Sequence, residues 1–281
     1  PDLQEILMSN RRPLSKEPPV LQPGSLAVWG GEEQYLMDRA TQVPVVHSVA
    51  FGYPDFDEWY DVATGKAQGH IYGRNTNPTV QVLEEKVRLL EGAEAATSAS
   101  TGMAAISNTL HALLRPGQRV VSVTDTYGGT SLLFTEYLPA FGIDCVLVDT
   151  HDTQQIEAAV GQGCDLLYLE TPTNPTLKIL DLARLSRVGH EQGATVVVDN
   201  TFPTPINQRP LVHGADLVVH SATKFLGGHA DALGGVLVGR GELVQKVFEY
   251  REINGATLDP MAAYLLLRGM KTLKLRVERQ A

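Results

Sequence analysis

Six short, almost wholly apolar runs recur along the chain from residue 119 onward: 119–123 (RVVSV), 144–148 (DCVLV), 165–169 (DLLYL), 195–199 (TVVVD), 216–219 (DLVV) and 234–238 (GGVLV). A strand with one wet face alternates apolar and polar residues. These runs do not, so both of their faces must be covered. Stretches of helical character near 102–115, 129–140, 154–161, 180–192 and 242–252 separate most of them. Strands covered on both faces and spaced by helices predict an α/β layer fold with a mainly parallel sheet. The pair 216–219 and 234–238 departs from this rhythm, with only a Gly-rich loop between its members.

Residues 1–60 are rich in Pro, Gly and Glu and weakly periodic, which predicts an extended arm that makes subunit contacts, with a disordered tail as the alternative. A large α/β domain is expected over 61–255, and residues 256–281 read as the start of a helix that links to a further domain. Within the large domain, Asn77 is placed to cap a helix with Pro78 at its first position. Leu83, Val87 and Leu90 then recur at helical spacing. The chain opens on Pro1 and closes on a basic helical stretch, so it is expected to be a piece of something longer.

A formal net charge of −9 with scattered basic residues argues against a nucleic-acid partner, which needs a clustered basic surface. Anionic small molecules stay open, because one pocket can oppose the overall sign. Cys145 and Cys164 lie in or beside apolar runs and read as buried free thiols. No run approaches the ~18 apolar residues of a membrane span, and no signal segment opens the chain. A cytoplasmic setting without membrane contact is the expectation.

In open α/β sheets, ligands gather at the carboxyl ends of the strands, and the polar residues there form a coherent set. The run 216–219 leads into His220-Ser221-Ala222-Thr223-Lys224 and a glycine-rich loop. A lysine held at a buried sheet end loses hydration and becomes a nucleophilic amine. Ser221 and Thr223 alternate on the approach, so both hydroxyls are positioned for one anionic group. Asp199 ends an adjacent strand, and a buried carboxylate there needs a partner such as a pyridinium N–H. Ser100-Thr101-Gly102-Met103 falls where a helix follows a short strand-like run, a setting that receives phosphate on backbone N–H groups. Tyr127, at another strand end, is either a plain partly buried tyrosine or a residue placed to stack on a ring. No metal site is suggested.

The strings YGRNTNPT (72–79), STGMAAI (100–106), DTYGGT (125–130), ETPTNPT (170–176), VDNTF (198–202) and HSATKFLGGHAD (220–231) together resemble the Cys/Met-metabolism family of pyridoxal 5′-phosphate (PLP) enzymes. That family includes cystathionine γ-synthase, cystathionine γ- and β-lyases, methionine γ-lyase and homoserine sulfhydrylases. The resemblance spans about residues 70 to 240. It implies a fold-type I aminotransferase-like domain, a seven-stranded sheet between helices, and a homotetramer built from catalytic dimers. It assigns Lys224 the Schiff base and proton transfer, Asp199 the pyridine nitrogen, and Tyr127 ring stacking with a part in proton transfer. Gly102, Met103, Ser221 and Thr223 would hold the phosphate, Asn174 would lie near the phenolic oxygen, and Thr201 would join the cofactor-binding set. Tyr72 and Arg74 would reach the neighbouring subunit's phosphate.

The implied reaction is γ-replacement or γ-elimination on a homoserine-derived amino acid, with cleavage of a Cγ–S or Cγ–O bond. Cystathionine β-lyase-type β-elimination and a non-catalytic family member are the alternatives. Two departures stand out. Family members run longer, and the C-terminal domain that supplies an arginine for the substrate carboxylate is expected beyond this chain. Methionine γ-lyases usually carry cysteine two residues after the stacking tyrosine, where this chain has Gly129. A nicotinamide-dependent dehydrogenase would need a G-x-G-x-x-G turn after its first strand, and the chain offers only Ser100-Thr101-Gly102.

Overall fold

Every apolar run forms a strand. The computed structural model describes residues 21–32 and 40–281, so expectations that fall on 1–20 and 33–39 lie outside the described residues. The strands are β1 (Ala95–Ala99), β2 (Arg119–Val123), β3 (Asp144–Val148), β4 (Leu166–Glu170), β5 (Thr195–Asp199), β6 (Leu217–Ser221) and β7 (Gly235–Gly239). They form one sheet in the order β1-β7-β6-β5-β4-β2-β3. β2, β3, β4, β5 and β6 pair in parallel, whereas β7 runs antiparallel to both β6 and β1. The missing helix between 216–219 and 234–238 explains that exception, because a chain that turns back through a loop returns in the opposite sense.

Alternate residues along each strand feed two separate apolar layers, as the period of two requires. Leu166, Tyr168, Val197, Leu217 and Val219 face the helices Gly102–Leu113 and Gly241–Asn254. Leu167, Leu169, Val196 and Val198 face the helices Thr153–Gly161 and Leu182–Glu191. On that second side Val218, Val236 and Val238 pack under the helices Pro78–Glu91 and Pro260–Met270. Residues 256–281, expected as the start of a linking helix, thus fold as two helices that contribute Leu266, Met270, Leu273 and Val277 to the core.

Local chemistry sets the element ends. Asn77 caps Pro78–Glu91 by accepting from the N–H groups of Thr79 and Val80, as its position predicts. The helix expected over 129–140 carries a π-turn at Leu133–Tyr137. Pro139, which has no N–H to return four residues back, accounts for the wider turn. The strand expected at 165–169 is shifted by one, because the Asp165 carboxylate accepts from Gln118 and from the Arg119 N–H, leaving Glu170 to complete the ladder.

The extended arm expected over 1–60 contains two helices among its described residues, Pro23–Trp29 and Phe56–Ala63. The first is fastened by a buried ionic group. Lys86 Nζ lies 2.6 Å from Glu32 Oε1 with both side chains fully buried, and Lys271 Nζ approaches the same carboxylate at 2.9 Å. Cys145 is half-buried and Cys164 buried, both free, and desolvation pushes each thiol up to about 11. Among the described residues no helix is long and apolar enough to cross a membrane.

Candidate active site

The ends of the parallel strands surround a cavity of about 420 Å³. Gly102, Met103, Tyr127, Asn174, Asp199, Thr201, Ser221, Thr223 and Lys224 all line it. The sheet therefore brings together residues that are spread over more than a hundred positions of sequence.

One wall is the start of the helix Gly102–Leu113. Thr101 caps it by accepting from the Ala104 N–H at 3.0 Å. The N–H groups of Gly102 and Met103 have no intrahelical partner at that position and carry the positive end of the helix dipole. Gly102 allows this helix end to approach β6. A Cβ at that position would lie 2.5 Å from Ser221 Cβ and 2.7 Å from its Oγ, closer than any real contact.

A chain of hydrogen bonds connects the opposite wall to the same strand. The Thr201 N–H donates to Asp199 Oδ1 at 2.9 Å, and Thr201 Oγ1 accepts from the Ser221 N–H at 2.8 Å. Asp199 is buried, and its Oδ2 accepts from the Tyr168 hydroxyl at 3.3 Å. Burial and the carboxylates of Asp199 and Glu170 push the Tyr168 phenol well above its ordinary range, so it stays a donor. The Thr223 hydroxyl is engaged with Gly234, accepting from its N–H at 3.0 Å, and ties the turn after β6 to the entry of β7.

Lys224 departs from expectation in one respect. The sequence suggests a lysine held at a buried sheet end, whereas its side chain is exposed. β6 ends at Ser221, and the Lys224 N–H turns back to the Ser221 carbonyl at 3.1 Å, so the residue leaves the sheet before its side chain begins. It stands between the cavity and a broader hollow of about 790 Å³ lined by His229, Asp231 and Arg276. Asn174 is also exposed, and Tyr127 is half-exposed.

Tyr72 and Arg74 do not line the cavity of their own chain. Both are exposed, with the Arg74 guanidinium 5.5 Å from the Tyr72 ring centre. Their segment is held from below by the buried Arg251, which donates to the carbonyls of Arg74 and Asn75. Sequence reasoning missed other wall residues, notably Glu170, Phe202, Phe225 and Leu233. Glu170 had a usable signal, since it is the first polar residue after the run 165–169. The Phe202 and Phe225 rings meet edge to face at 5.6 Å, a contact that no local pattern announces.

A lysine at a glycine-rich turn, a buried carboxylate and a helix start opened by glycine line one cavity at the strand ends of this α/β sheet, and the class of the chain is that of the fold-type I PLP-dependent enzymes. The profile of the Cys/Met metabolism PLP-dependent enzymes matches residues 24–281, and the chain belongs to that family. It is 42% identical over 260 residues to the chloroplastic cystathionine gamma-synthase 1 of Arabidopsis thaliana, covering 92% of this chain and 46% of that one. The L-methionine gamma-lyase of Pseudomonas putida is also 42% identical, over 84% of this chain and 60% of its own length. A crystal structure of cystathionine gamma synthase from Xanthomonas oryzae pv. oryzae superposes with a TM-score of 0.84 at 36% identity, covering 91% of this chain and 64% of that one. The chain thus spans about half the length of the first curated relatives that it matches.

The residues present fit PLP on structural grounds. The cavity offers a buried carboxylate for a cationic ring nitrogen, unpaired helix-start N–H groups for a phosphate, and an exposed amine within the same walls.

Proposed function

We propose that this protein is a PLP-dependent enzyme that cleaves or exchanges the Cγ substituent of a homoserine-derived amino acid, by γ-replacement or γ-elimination. The observation that carries the reading is the convergence of Lys224, Asp199 and the Gly102–Ser221 contact on one cavity. Bound there, PLP would supply an electron sink for charge that develops at the substrate's α-carbon. Asp199 would keep the ring nitrogen protonated, and Tyr168 and Thr201 would hold its two oxygens in place. Gly102, Met103, Ser221 and Thr223 would receive the phosphate, with Asn174 at the phenolic oxygen and Thr201 bracing the wall.

Tyr127 would cover the ring face and assist proton transfer. Lys224 Nζ would hold the cofactor and, once the substrate's own amino group has taken its place there, would act as the free amine that moves the proton at Cα. Its exposure toward the broader hollow leaves room for an incoming amino acid. Gly129 supports a preference for the synthase, sulfhydrylase and cystathionine γ-lyase members. A Cβ there would lie 2.9 Å from Met103 Sδ and 3.0 Å from the Tyr127 ring, so a cysteine needs a differently placed pair.

The same reading makes the protein a homotetramer built from catalytic dimers, with Tyr72 and Arg74 completing a neighbour's phosphate site. Their exposure outside the cavity of their own chain is consistent with that role. Two free cysteines agree with a reducing, cytoplasmic setting.

A substrate panel tests the reaction. The full chain loaded with PLP would be offered O-acetyl- and O-succinylhomoserine with and without cysteine or sulfide, then cystathionine, methionine and canavanine. From the acylhomoserines, thioether with cysteine or homocysteine with sulfide signifies replacement, and 2-oxo acid signifies elimination; pyruvate with homocysteine from cystathionine would instead mean attack at Cβ. Lys224→Ala should abolish both turnover and the visible absorbance of the bound cofactor. Turnover that survives without added amine would overturn the assignment.

A further inference from the structure

Glu170 sits in the cavity with no role in the reading above. It is the last residue of β4 and pairs in register with Asp199 on the parallel strand β5, so both carboxylates leave the same face of the sheet. Both line the cavity and both are buried. Asp199 already has a use, as the partner of a ring nitrogen. Glu170 instead reaches backbone: its Oε2 accepts from the Tyr127 N–H at 2.8 Å, and its Oε1 accepts from the Asn174 N–H at 3.3 Å.

These two N–H groups belong to different loops. Tyr127 closes the loop after β2, directly before the helix Gly128–Leu132, and Asn174 lies in the loop after β4. The same two loops meet again farther out, where Asp125 accepts from Thr176 Oγ1 at 3.2 Å and from Lys178 Nζ at 2.8 Å. The outer fastening closes the loops together, and the inner one fixes them at the cavity wall.

We propose that Glu170 is a positioning residue for the bound pyridine ring, a single carboxylate that sets the spacing between Tyr127 and Asn174 and hence the slot that the ring enters. The inference rests on the reading of this cavity as the PLP site.

Charge makes the clamp sensitive to what the cavity holds. Asp199 faces Glu170 from β5, the Tyr168 phenol from β4 itself, and Asp125 from the β2 turn. The cations nearby are Lys178, already paired with Asp125, and Lys224 on the far wall. Burial, then the Asp199 charge, pushes the Glu170 carboxyl up to about 7, against the pull of the two N–H groups. Only the ionised form accepts both N–H groups as charge-assisted bonds. A cationic ring nitrogen beside Asp199 cancels the charge that opposes ionisation. Ring binding and tightening of the clamp therefore favour each other, and by linkage each strengthens the other equally.

The test uses the full chain, PLP as the probe, and equilibrium binding followed by visible absorbance and intrinsic fluorescence. Glu170→Gln keeps the size and one acceptor oxygen but removes the titration; Glu170→Ala removes both bonds. The dissociation constant for PLP is expected to rise about threefold in Glu170→Gln and tenfold or more, roughly, in Glu170→Ala, as loss of one and two such bonds would give. Wild-type affinity should strengthen as pH rises through about 7, and Glu170→Gln should lack that component while keeping the part contributed by the phosphate itself. Equal pH slopes in wild type and Glu170→Gln, or affinity in Glu170→Ala within about twofold of wild type, would overturn the proposal. Should Glu170→Ala fail to fold, the Glu170→Gln comparison decides alone. Failure of the wild type to bind PLP would sink the cofactor reading along with this one, whereas equal binding by all three proteins sinks only the clamp.

Discussion

Replacing Gly102 with Ala isolates the contact between the helix start and β6. The new methyl would stand 2.5 Å from Ser221 Cβ, 2.7 Å from Ser221 Oγ and 2.9 Å from Ser221 Cα. Ordinary carbon contacts lie at about 3.5–4.0 Å, so the helix end or the strand end must move by roughly 1 Å. No flexible side-chain tip can absorb that shift, because the obstructing atoms are on or next to the backbone. Overpacking of this kind costs about 2 kcal/mol. The loss of backbone freedom in the unfolded chain offsets about 0.7 kcal/mol of it. The net loss of roughly 1.3 kcal/mol predicts a thermal midpoint ~3–5 °C lower for a chain of this size. On the proposed reading PLP affinity should fall with it, since the displaced N–H groups would be those that receive the phosphate. Ser221→Gly in the same background removes the two nearest atoms and should return about 1 kcal/mol as positive coupling in a double-mutant cycle. Differential scanning calorimetry of the four apo proteins reads that coupling directly. Strictly additive effects, or a Gly102→Ala protein as stable as wild type, would show that the short approach is not what the glycine serves.

Glu32→Ala removes the carboxylate shared by Lys86 and Lys271 and leaves a fully buried ammonium with only the carbonyls of Ala27 and Val28. Loss of one partner of a buried pair predicts about 3–5 kcal/mol less stability, measured by urea unfolding; a change below about 1 kcal/mol would place the pair in water instead. Asp125 gives a prediction in acid. The hydrogen bonds from Lys178 and Thr150 hold its carboxyl down at about 2, below its ordinary 3.8. The ionised carboxylate therefore stabilises the fold above about pH 4, and that contribution is lost as pH falls toward 2. Asp125→Asn should be less stable at neutral pH and should lose less of its remaining stability between those limits, as followed by circular dichroism. Identical acid profiles would refute the assignment.

Most strands were legible because they are buried on both faces, and a run such as TVVVD at 195–199 has no other comfortable setting; β3, at the sheet edge, is only partly buried and was legible from its apolar run alone. Asp199, Ser221 and Thr223 were legible for the same reason, as polar groups at or just beyond the ends of such runs. Glu170 carried the same signal, but because apolarity ends at Leu169 its place in the ladder was not legible. Only the Asp165 contacts that shift the strand by one reveal it as part of the ladder. The exposure of Lys224 depends on a turn whose geometry is set by Gly234 across the loop, which no local pattern encodes. The helix Pro23–Trp29 was hidden in a segment of weak periodicity. Its anchor is Glu32, whose partners Lys86 and Lys271 lie far along the chain.

The loop that carries Lys224 is held by residues made long after it. Gly269 packs directly against the Gly227 carbonyl, and the Arg276 guanidinium donates to the carbonyls of Phe225, Leu226 and Gly269. Arg276 follows Phe225 by 51 positions. On the ribosome, the sheet can assemble while that stretch is still in the exit tunnel, but the turn at Lys224 is not fastened until it has emerged. A nascent chain would thus pass through an interval in which the sheet exists and the loop that carries Lys224 is slack.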